Sequence, residues 1–305
     1  MQNTHTSETS ILQNLVVGGM RAWTWAGGKP WQWLERRVRS FRMARKGENF
    51  MTMKTIVFSG LIGAIAMSAN IAAAADIKVL SAGAYKQVVV ALAPDFEKAT
   101  GHKLIIDNAT AGVLVERIKG GEAFDVAVIT PRAIDDLAKD GKIVTGSRVN
   151  LARVGVGVMV KDGAPKPDIG SVEAFKQAVL AAKSVAYIDP ASGGSSGIYV
   201  AGLFDKLGIA GQVKPKAKLK KGGYVAELLV SGEAELGIHQ ISEIVPVKGV
   251  TLVGPLPAEI QNYTIYAGGL SATAKNADAA KALLKALTSE AAAAVLKARG
   301  LEPAP

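Results

Sequence analysis

The stretch Tyr187–Phe204, YIDPASGGSSGIYVAGLF, runs from apolar residues into six small ones and then into a helical pattern. Its apolar beginning predicts the end of a buried strand, Ser184–Ile188, and the apolar spacing that follows predicts a helix over Gly197–Leu207. The small residues Ala191–Ser196 lie between the two. They could form a flexible linker, a turn that presents a nucleophile, or a loop whose backbone amides bind an anion.

Strands and helices alternate along the whole chain from residue 76 onward. The other predicted strands are Ile77–Ser81, Lys103–Asn108, Asp125–Thr130, Val154–Val160, Leu236–His239, Val250–Val253 and Tyr263–Leu270. The other predicted helices are Tyr85–Thr100, Gly112–Lys119, Ala133–Asp140, Ser171–Ala182, Gly223–Ser231, Ala277–Leu287 and Glu290–Ala298. This alternation predicts an α/β fold with mostly parallel sheets and helices on both faces.

Three loops that follow predicted strands consist of small and polar residues: Ala82–Tyr85, Ala109–Gly112 and Asp189–Ser196. In α/β sheets, ligands bind where strands end and helix N-termini begin. Small side chains expose backbone N–H groups, and a helix N-terminus adds about half a positive charge. Three such loops in one chain predict an anion-binding cleft.

Two further loops, Pro131–Arg132 and Gln240–Ser242, add polar and charged side chains to the predicted cleft. Lys86 and Arg132 lie next to ligand loops and are candidates for direct charge contacts. The basic run 214–224, KPKAKLKKGGY, is either a solvated face or an attractor of anions at the cleft mouth. The predicted ligand-binding residues are Gly83, Ala84, Tyr85, Lys86, Thr110, Ala111, Gly112, Thr130, Arg132, Ser195, Ser196, Gly197, Tyr224, His239 and Gln240.

The run GGSSG at 193–197 also matches the nucleophile motif G-x-S-x-G, with Ser195 as the nucleophile. That motif requires a tight turn directly after a strand, whereas Asp189–Gly194 separates Ser195 from the predicted strand. The only downstream histidine is His239. A serine hydrolase therefore stays a minor alternative.

Composition excludes several classes of protein. The sequence has no cysteine, which excludes disulfides and thiolate metal sites, and His102 and His239 lack the spacing of a metal-binding pair. We therefore expect no metal and no cofactor. The net charge of +10 lies largely in residues 1–75, which have 9 Lys and Arg against 3 Asp and Glu. The remainder is mildly basic, so we expect no nucleic-acid partner.

The first 75 residues predict export. Lys54, the apolar run Ile56–Ala66 and the small residues before Asp76 have the order of a secretory signal peptide. We predict a signal peptide at 53–75, cleaved near Ala75, and a periplasmic mature protein. An uncleaved anchor is the alternative. Residues 1–52 contain all four tryptophans; we interpret them as a non-native or untranslated extension, with a membrane-surface segment as the alternative.

From residue 76 to 305 the chain resembles the periplasmic solute-binding proteins of ABC importers, and among them the molybdate-binding branch. The resemblance covers these residues almost completely. The stretches that carry it include NATAGVLVERIKGGEAFDVAVIT (108–130), VAYIDPASGGSSGIYVAGLFDKLGI (185–209) and GEAELGIHQISEI (232–244).

The resemblance implies a type II periplasmic-binding-protein fold with two α/β lobes that close on an anion. The first lobe would comprise 76–154 plus 246–305, and the second lobe 155–245. The two serines that donate to molybdate in that branch fall on Ala84 and Ala111, and the tyrosine falls on Gln240. Second-lobe amides would lie near Ser196 and Gly223–Tyr224.

Three side-chain donors of the molybdate branch are therefore replaced. Each lost hydrogen bond to a charged ligand costs about 1.5–3 kcal/mol, and smaller side chains widen the pocket. We therefore expect a larger anion, such as a di- or tricarboxylate, rather than molybdate.

The resemblance also implies a function. The leading hypothesis is a monomeric, non-enzymatic receptor that delivers a small anion to the permease of an ABC importer. Periplasmic aconitate isomerases are similar to this family, which makes isomerisation of a tricarboxylate the alternative. In that case His239 and Lys86 are the candidate proton-transfer residues.

Overall fold

The structure is a computed structural model that describes residues 74–305. The predicted extension 1–52 and all but the last two residues of the predicted signal peptide lie outside the described residues. Within residues 74–305, no helix is both long and apolar enough to cross a membrane.

The described part of the chain alternates strands with helices. Its strands are β1 Asp76–Ala82, β2 Lys103–Ala109, β3 Val126–Ile129, β4 Val149–Lys161, β5 Val185–Ile188, β6 Ala217–Lys220, β7 Leu236–Gln240, β8 Val250–Pro255, β9 Tyr263–Leu270 and β10 Glu302–Pro303. Its α-helices are α1 Gly83–Thr100, α2 Ala111–Lys119, α3 Pro131–Lys139, α4 Val172–Ala181, α5 Ser195–Lys206, α6 Ala210–Val213, α7 Ala226–Val230, α8 Ile241–Ile244, α9 Ala277–Ala286 and α10 Glu290–Ala298. Short 3₁₀ turns occur at Pro190–Ser192, Lys214–Lys216 and Ala258–Ile260.

The strands form a sheet in the order β2-β1-β3-β9-β4-β7-β5-β6, with β8 and β10 also paired to β4. In the first half of the sheet, β1 pairs in parallel with β2 and β3. In the second half, β5 pairs in parallel with β6 and β7. Helices pack against both halves, as the alternation predicted.

Strand β4 joins the two halves. Its first part, Val149–Gly155, pairs with β9, and its second part, Val156–Val160, pairs with β7. The pairings that involve β4 or β9 are antiparallel. The sheet is therefore mixed: the prediction of mostly parallel strands holds for the outer strands of each half but not for β4 and β9. A continuous apolar run shows that a strand is buried without showing its direction.

Each half of the sheet has its own core. Helix α1 buries Val88, Val89, Leu92 and Phe96 against the first half, at the helical spacing that the sequence predicted. In the second half, Phe175 of α4 and Phe204 of α5 are buried against the sheet. Full burial of one such side chain contributes about 2 kcal/mol.

The basic run 214–224 contains a strand that the sequence did not reveal. Strand β6 is an edge strand, where exposed lysines are common because they discourage pairing with other chains. Just before it, Lys216 Nζ donates to the carbonyls of Val179, Leu180 and Ala182. It thereby caps the C-terminus of α4.

The predicted lobe boundaries, 76–154 plus 246–305 and 155–245, stay predictions. The described residues belong to one compact unit, Ala72–Pro305. Strand β8, which we expected in the first lobe, pairs with Gly157–Lys161 in the second half of the sheet.

Candidate anion-binding cleft

A cleft that is partly open to solvent lies where loops of the two sheet halves meet; counted together with the open solvent at its mouth, its empty space is about 370 Å³. The residues that line it come from the ends of β1, β2, β5 and β7 and the turns and helices that follow them, from the loop after β6, and from β9. They are Ala82, Gly83, Ala84, Asn108, Ala109, Thr110, Ala111, Ile188, Gly194, Ser195, Ser196, Gly222, Gly223, His239, Gln240, Glu243 and Tyr266.

Three helix N-termini face this cleft, because α1, α2 and α5 begin at Gly83, Ala111 and Ser195. Helix α2 is capped by the Thr110 hydroxyl, which accepts from the Val113 amide. Within the described chain, no side chain caps α1 or α5 at its N-cap residue. Uncapped first-turn amides at two helix N-termini provide donors and partial positive charge for an anion.

The loops of the two halves touch across the cleft rim. The Thr110 hydroxyl donates to the Ser192 carbonyl, and the Gly112 amide donates to the Gly193 carbonyl at 3.1 Å. A Cβ atom on Gly112 would lie 2.7 Å from the Gly193 Cα atom. The contact therefore depends on glycine at residue 112.

The floor of the cleft contains a buried histidine–glutamate pair. His239 is the last residue but one of β7, and Glu243 lies one turn later on α8. Their side chains are 1% and 9% exposed, and His239 Nδ1 lies 3.3 Å from Glu243 Oε2 without the alignment of a hydrogen bond. Glu243 Oε1 also lies beside the start of α1, because a Cβ atom on Gly83 would come within 2.5 Å of it.

Burial moves the two pKa values in opposite directions. It raises the pKa of Glu243 to about 8, with the charge of Lys86 opposing the shift. It lowers the pKa of His239 to about 4. At neutral pH, burial therefore favours a protonated carboxyl beside a neutral imidazole, which are a proton donor and a proton acceptor.

Tyr266 of β9 reaches the same floor. Its hydroxyl donates to Gln240 Oε1 at 2.9 Å, and both side chains are buried. Burial and the neighbouring Glu243 raise the pKa of Tyr266, while the side chains of Gln240 and Ser195 oppose the shift. Tyr266 therefore stays a neutral hydrogen-bond donor.

Several buried polar atoms on this floor have no hydrogen-bond partner among residues 74–305. They are Gln240 Nε2 and both ring nitrogens of His239. Buried polar groups in folded proteins are nearly always paired, so a cluster of unpaired ones indicates a place where a ligand binds.

The structure brings eight of the predicted site residues together around the cleft: Gly83, Ala84, Thr110, Ala111, Ser195, Ser196, His239 and Gln240. Ala84 and Ala111 are both buried. Each lies where the resemblance placed a serine, so neither position supplies a side-chain donor.

The other predicted residues do not line the cleft. Tyr85 is fully buried in the core of the first half, because α1 begins at Gly83 and turns residue 85 to the same face as Val88. The side chain of Arg132 is 94% exposed and pairs with Asp136, outside the lining of the cleft.

The remaining ones have local roles. Gly112 forms the rim contact, and Thr130 is the N-cap residue of α3. The Tyr224 hydroxyl accepts a hydrogen bond from Gln87 Nε2. At Gly197 a Cβ atom would lie 2.3 Å from the Ile188 carbonyl oxygen, so this glycine lets α5 approach β5. Lys86 is half-buried and acts on the cleft through its charge near Glu243.

Sequence reasoning missed Glu243, Tyr266 and Asn108. The signal for Glu243 was an acidic residue within the apolar run ISEI, four residues after His239. Tyr266 lies in a strand predicted as buried, and nothing in its pattern distinguishes it from a core residue.

Two alternative kinds of site receive no geometric support. No group of three or more His, Asp or Glu side chains within residues 74–305 could hold a metal ion. Ser195 follows β5 only after the turn Pro190–Ser192 and two glycines, so the tight elbow of a serine hydrolase is absent from this described segment.

Comparison with known proteins identifies the family. The model of the family described as bacterial extracellular solute-binding protein matches residues 77–302. The chain belongs to this family. This solute-binding protein is 36% identical over 233 residues to an aconitate isomerase from a Pseudomonas species. The alignment covers 74% of this chain and 87% of that relative.

It is also 30% identical over 241 residues to the molybdate-binding protein ModA of Azotobacter vinelandii, covering 75% of this chain and 90% of the relative. The solved structure of the periplasmic molybdate-binding protein of Azotobacter vinelandii superimposes with a TM-score of 0.62 at 21% identity, over 75% of this chain and all of that one. The predicted family and its two-lobed α/β fold are thereby confirmed.

Proposed function

We propose that the cleft binds a small di- or tricarboxylate and that the protein isomerises an unsaturated tricarboxylate such as aconitate by proton transfer. The observation that carries this proposal is the buried His239–Glu243 pair on the floor of an anion-binding cleft. The 36% identity to a protein named aconitate isomerase supports the same substrate class.

The lining of the cleft suits a carboxylate. It consists of neutral groups and of His239 and Glu243, and among the described residues it includes no lysine or arginine. First-turn amides of α1 and α5, with Ser195 and Ser196, would meet the charge of the ligand through hydrogen bonds. Alanine at 84 and 111 leaves room that a hydroxyl-lined oxyanion site lacks.

The pair can catalyse a proton shift without a cofactor. Neutral His239 removes a proton from the methylene carbon next to a carboxylate, and the double bond moves by one position. Protonated Glu243 delivers a proton to the carbon at the other end of the shifted system. A proton then passes from His239 to Glu243, whose Oε2 lies 3.3 Å from His239 Nδ1. This transfer restores the neutral imidazole and the protonated carboxyl.

Backbone amides would stabilise the negative charge that develops on the carboxylate during this shift. Glu243 takes the role that the sequence suggested for Lys86, since Lys86 does not line the cleft. Lys86 instead favours the ionised form of Glu243.

The test is turnover of cis-aconitate in D₂O, with trans-aconitate and its deuterium content measured by NMR. We expect the trans isomer to appear with deuterium incorporated.

His239→Gln and Glu243→Gln should each lower kcat at least about a hundredfold while the ligand still binds. A loss of this size is usual when a general acid or base is removed. His102→Gln, a half-buried histidine outside the cleft, is the matched control. Binding without any turnover would overturn the isomerase.

A second candidate is the receptor: a periplasmic protein that delivers the carboxylate to the permease of an ABC importer. The match of residues 77–302 to the solute-binding family favours it. In a receptor, the Glu243 carboxyl would donate a hydrogen bond to the ligand. Tight binding with no turnover, together with stimulation of a reconstituted importer, would support this function.

N-terminal sequencing and the mass of the protein from the periplasm would test the predicted cleavage near Ala75 and the predicted monomer.

A further inference from the structure

Gln240 and Tyr266 form a buried pair that the proton shift does not use. Gln240 lies at the end of β7, and Tyr266 lies in β9, the strand that joins the sheet halves together with β4. Both residues are 2% exposed and line the cleft.

The hydrogen bond between them fixes the orientation of the Gln240 amide. The Tyr266 hydroxyl donates to Gln240 Oε1 at 2.9 Å. The other end of the amide, Gln240 Nε2, is buried and has no partner within residues 74–305. A buried N–H donor without a partner is costly, so it indicates a missing acceptor.

We propose that Tyr266 is a positioning residue that turns the Gln240 amide nitrogen toward the ligand, where it donates to a ligand oxygen and so selects for anionic, acceptor-only groups. The inference deepens the proposed function and rests on it for the class of ligand. Without the Tyr266 hydroxyl, the Gln240 amide can rotate and present its carbonyl oxygen, which repels a carboxylate.

A double-mutant cycle tests this proposal, with affinities for trans-aconitate and for molybdate measured by calorimetry. We expect Gln240→Leu to weaken binding about ten- to a hundredfold, since a hydrogen bond to a charged group is lost. Tyr266→Phe should weaken binding about five- to tenfold, because the amide keeps its donor but loses its fixed orientation. In the Gln240→Leu background, Tyr266→Phe should have no further effect.

A purely structural role of Tyr266 would give a different cycle. Tyr266→Phe would then weaken binding equally in both backgrounds, and the proposal would be overturned. It would also be overturned if Gln240→Leu bound as tightly as the unmodified protein. Tyr263→Phe, at an exposed position of the same strand, is the matched control and should leave affinity unchanged. Thermal unfolding of each variant checks that the fold is retained.

Measurements with both anions distinguish a failure of this inference from a failure of the proposed function. If only molybdate binds, the carboxylate function is wrong, and the cycle measured with molybdate still decides the role of Tyr266. If trans-aconitate binds and the cycle is additive, the inference fails while carboxylate binding stands. If neither anion binds, both are overturned.

Discussion

At the scale of the residue, the protonation state of Glu243 decides the charge on the floor of the cleft. An ionised carboxylate on the floor of the cleft would repel the anion that the surrounding amides attract. Its burial next to neutral His239 resolves this conflict by favouring the protonated form. The sequence placed His239 in the cleft, but it could not reveal the partner, because an acidic residue in a short helix is more often exposed.

The raised pKa of Glu243 makes stability depend on pH. Between 4.5, its ordinary value, and about 8, the folded protein holds a proton that the unfolded chain releases, so the free energy of unfolding falls as pH rises. His239 has the opposite effect between about 4 and 6.5, so the two offset each other there. We expect the free energy of unfolding to fall by about 2 kcal/mol from pH 6.5 to 8.

Urea unfolding at both pH values, compared with Glu243→Gln, measures this contribution. The glutamine cannot ionise, so most of the fall above pH 6.5 should disappear in that variant. An equal fall in both proteins would assign the pH dependence to other groups.

At the scale of the element, the N-termini of three helices face the cleft, and Gly112 permits the contact that joins two loops across its rim. The sequence located all three loops, because each is a run of small and polar residues between a predicted strand and a predicted helix. Tyr85, which the sequence placed among the ligand-binding residues, lies in the core, because α1 starts at Gly83 and Tyr85 shares its buried face with Val88. No side chain caps the start of α1, so neither a capping residue nor apolar periodicity marked it in the sequence.

Gly112→Ala tests the rim contact between α2 and the loop at Gly193. The added methyl group would lie 2.7 Å from the Gly193 Cα atom, so the two loops must separate. We expect ligand dissociation to accelerate about tenfold, by analogy with the loss of one or two hydrogen bonds, while stability changes by under about 1 kcal/mol. Stopped-flow dissociation measures the first quantity.

The matched control for this variant is Gly202→Ala. Gly202 lies within helix α5, and a Cβ atom there would meet nothing within 4 Å. Alanine should stabilise this helix slightly and leave dissociation unchanged. An unchanged dissociation rate in Gly112→Ala would show that the rim contact does not limit opening.

At the scale of the whole molecule, two sheet halves with separate cores are held together through β4 and β9. The strand and helix pattern predicted the α/β alternation, and the family resemblance implied two lobes. The pattern missed β6, because its sequence AKLK lies in a basic rather than an apolar run. It could not predict the antiparallel course of β4 and β9 or the pairing of β8 with the second half, which depend on contacts between distant parts of the chain.

Gln261 secures β4 at the point where it passes from one half to the other. Its side chain accepts from the Val156 amide at 2.8 Å and donates to the Val156 carbonyl at 3.0 Å. Gln261→Ala should lower the free energy of unfolding by about 1–3 kcal/mol, because a buried backbone amide loses its partner. Chemical denaturation measures the change, and Gln212→Ala, at an exposed position, should have almost no effect. Equal stability in both variants would contradict the role assigned to Gln261.

The neutral lining of the cleft has a consequence for the conditions under which the protein works. Attraction between exposed charges weakens as the ionic strength of the medium rises, whereas hydrogen bonds inside a buried cleft are screened much less. Since no lysine or arginine belongs to the described lining, recognition of an anion there depends on amide and hydroxyl groups. An anion held by such a site should therefore lose little affinity when the surrounding medium changes from dilute to saline.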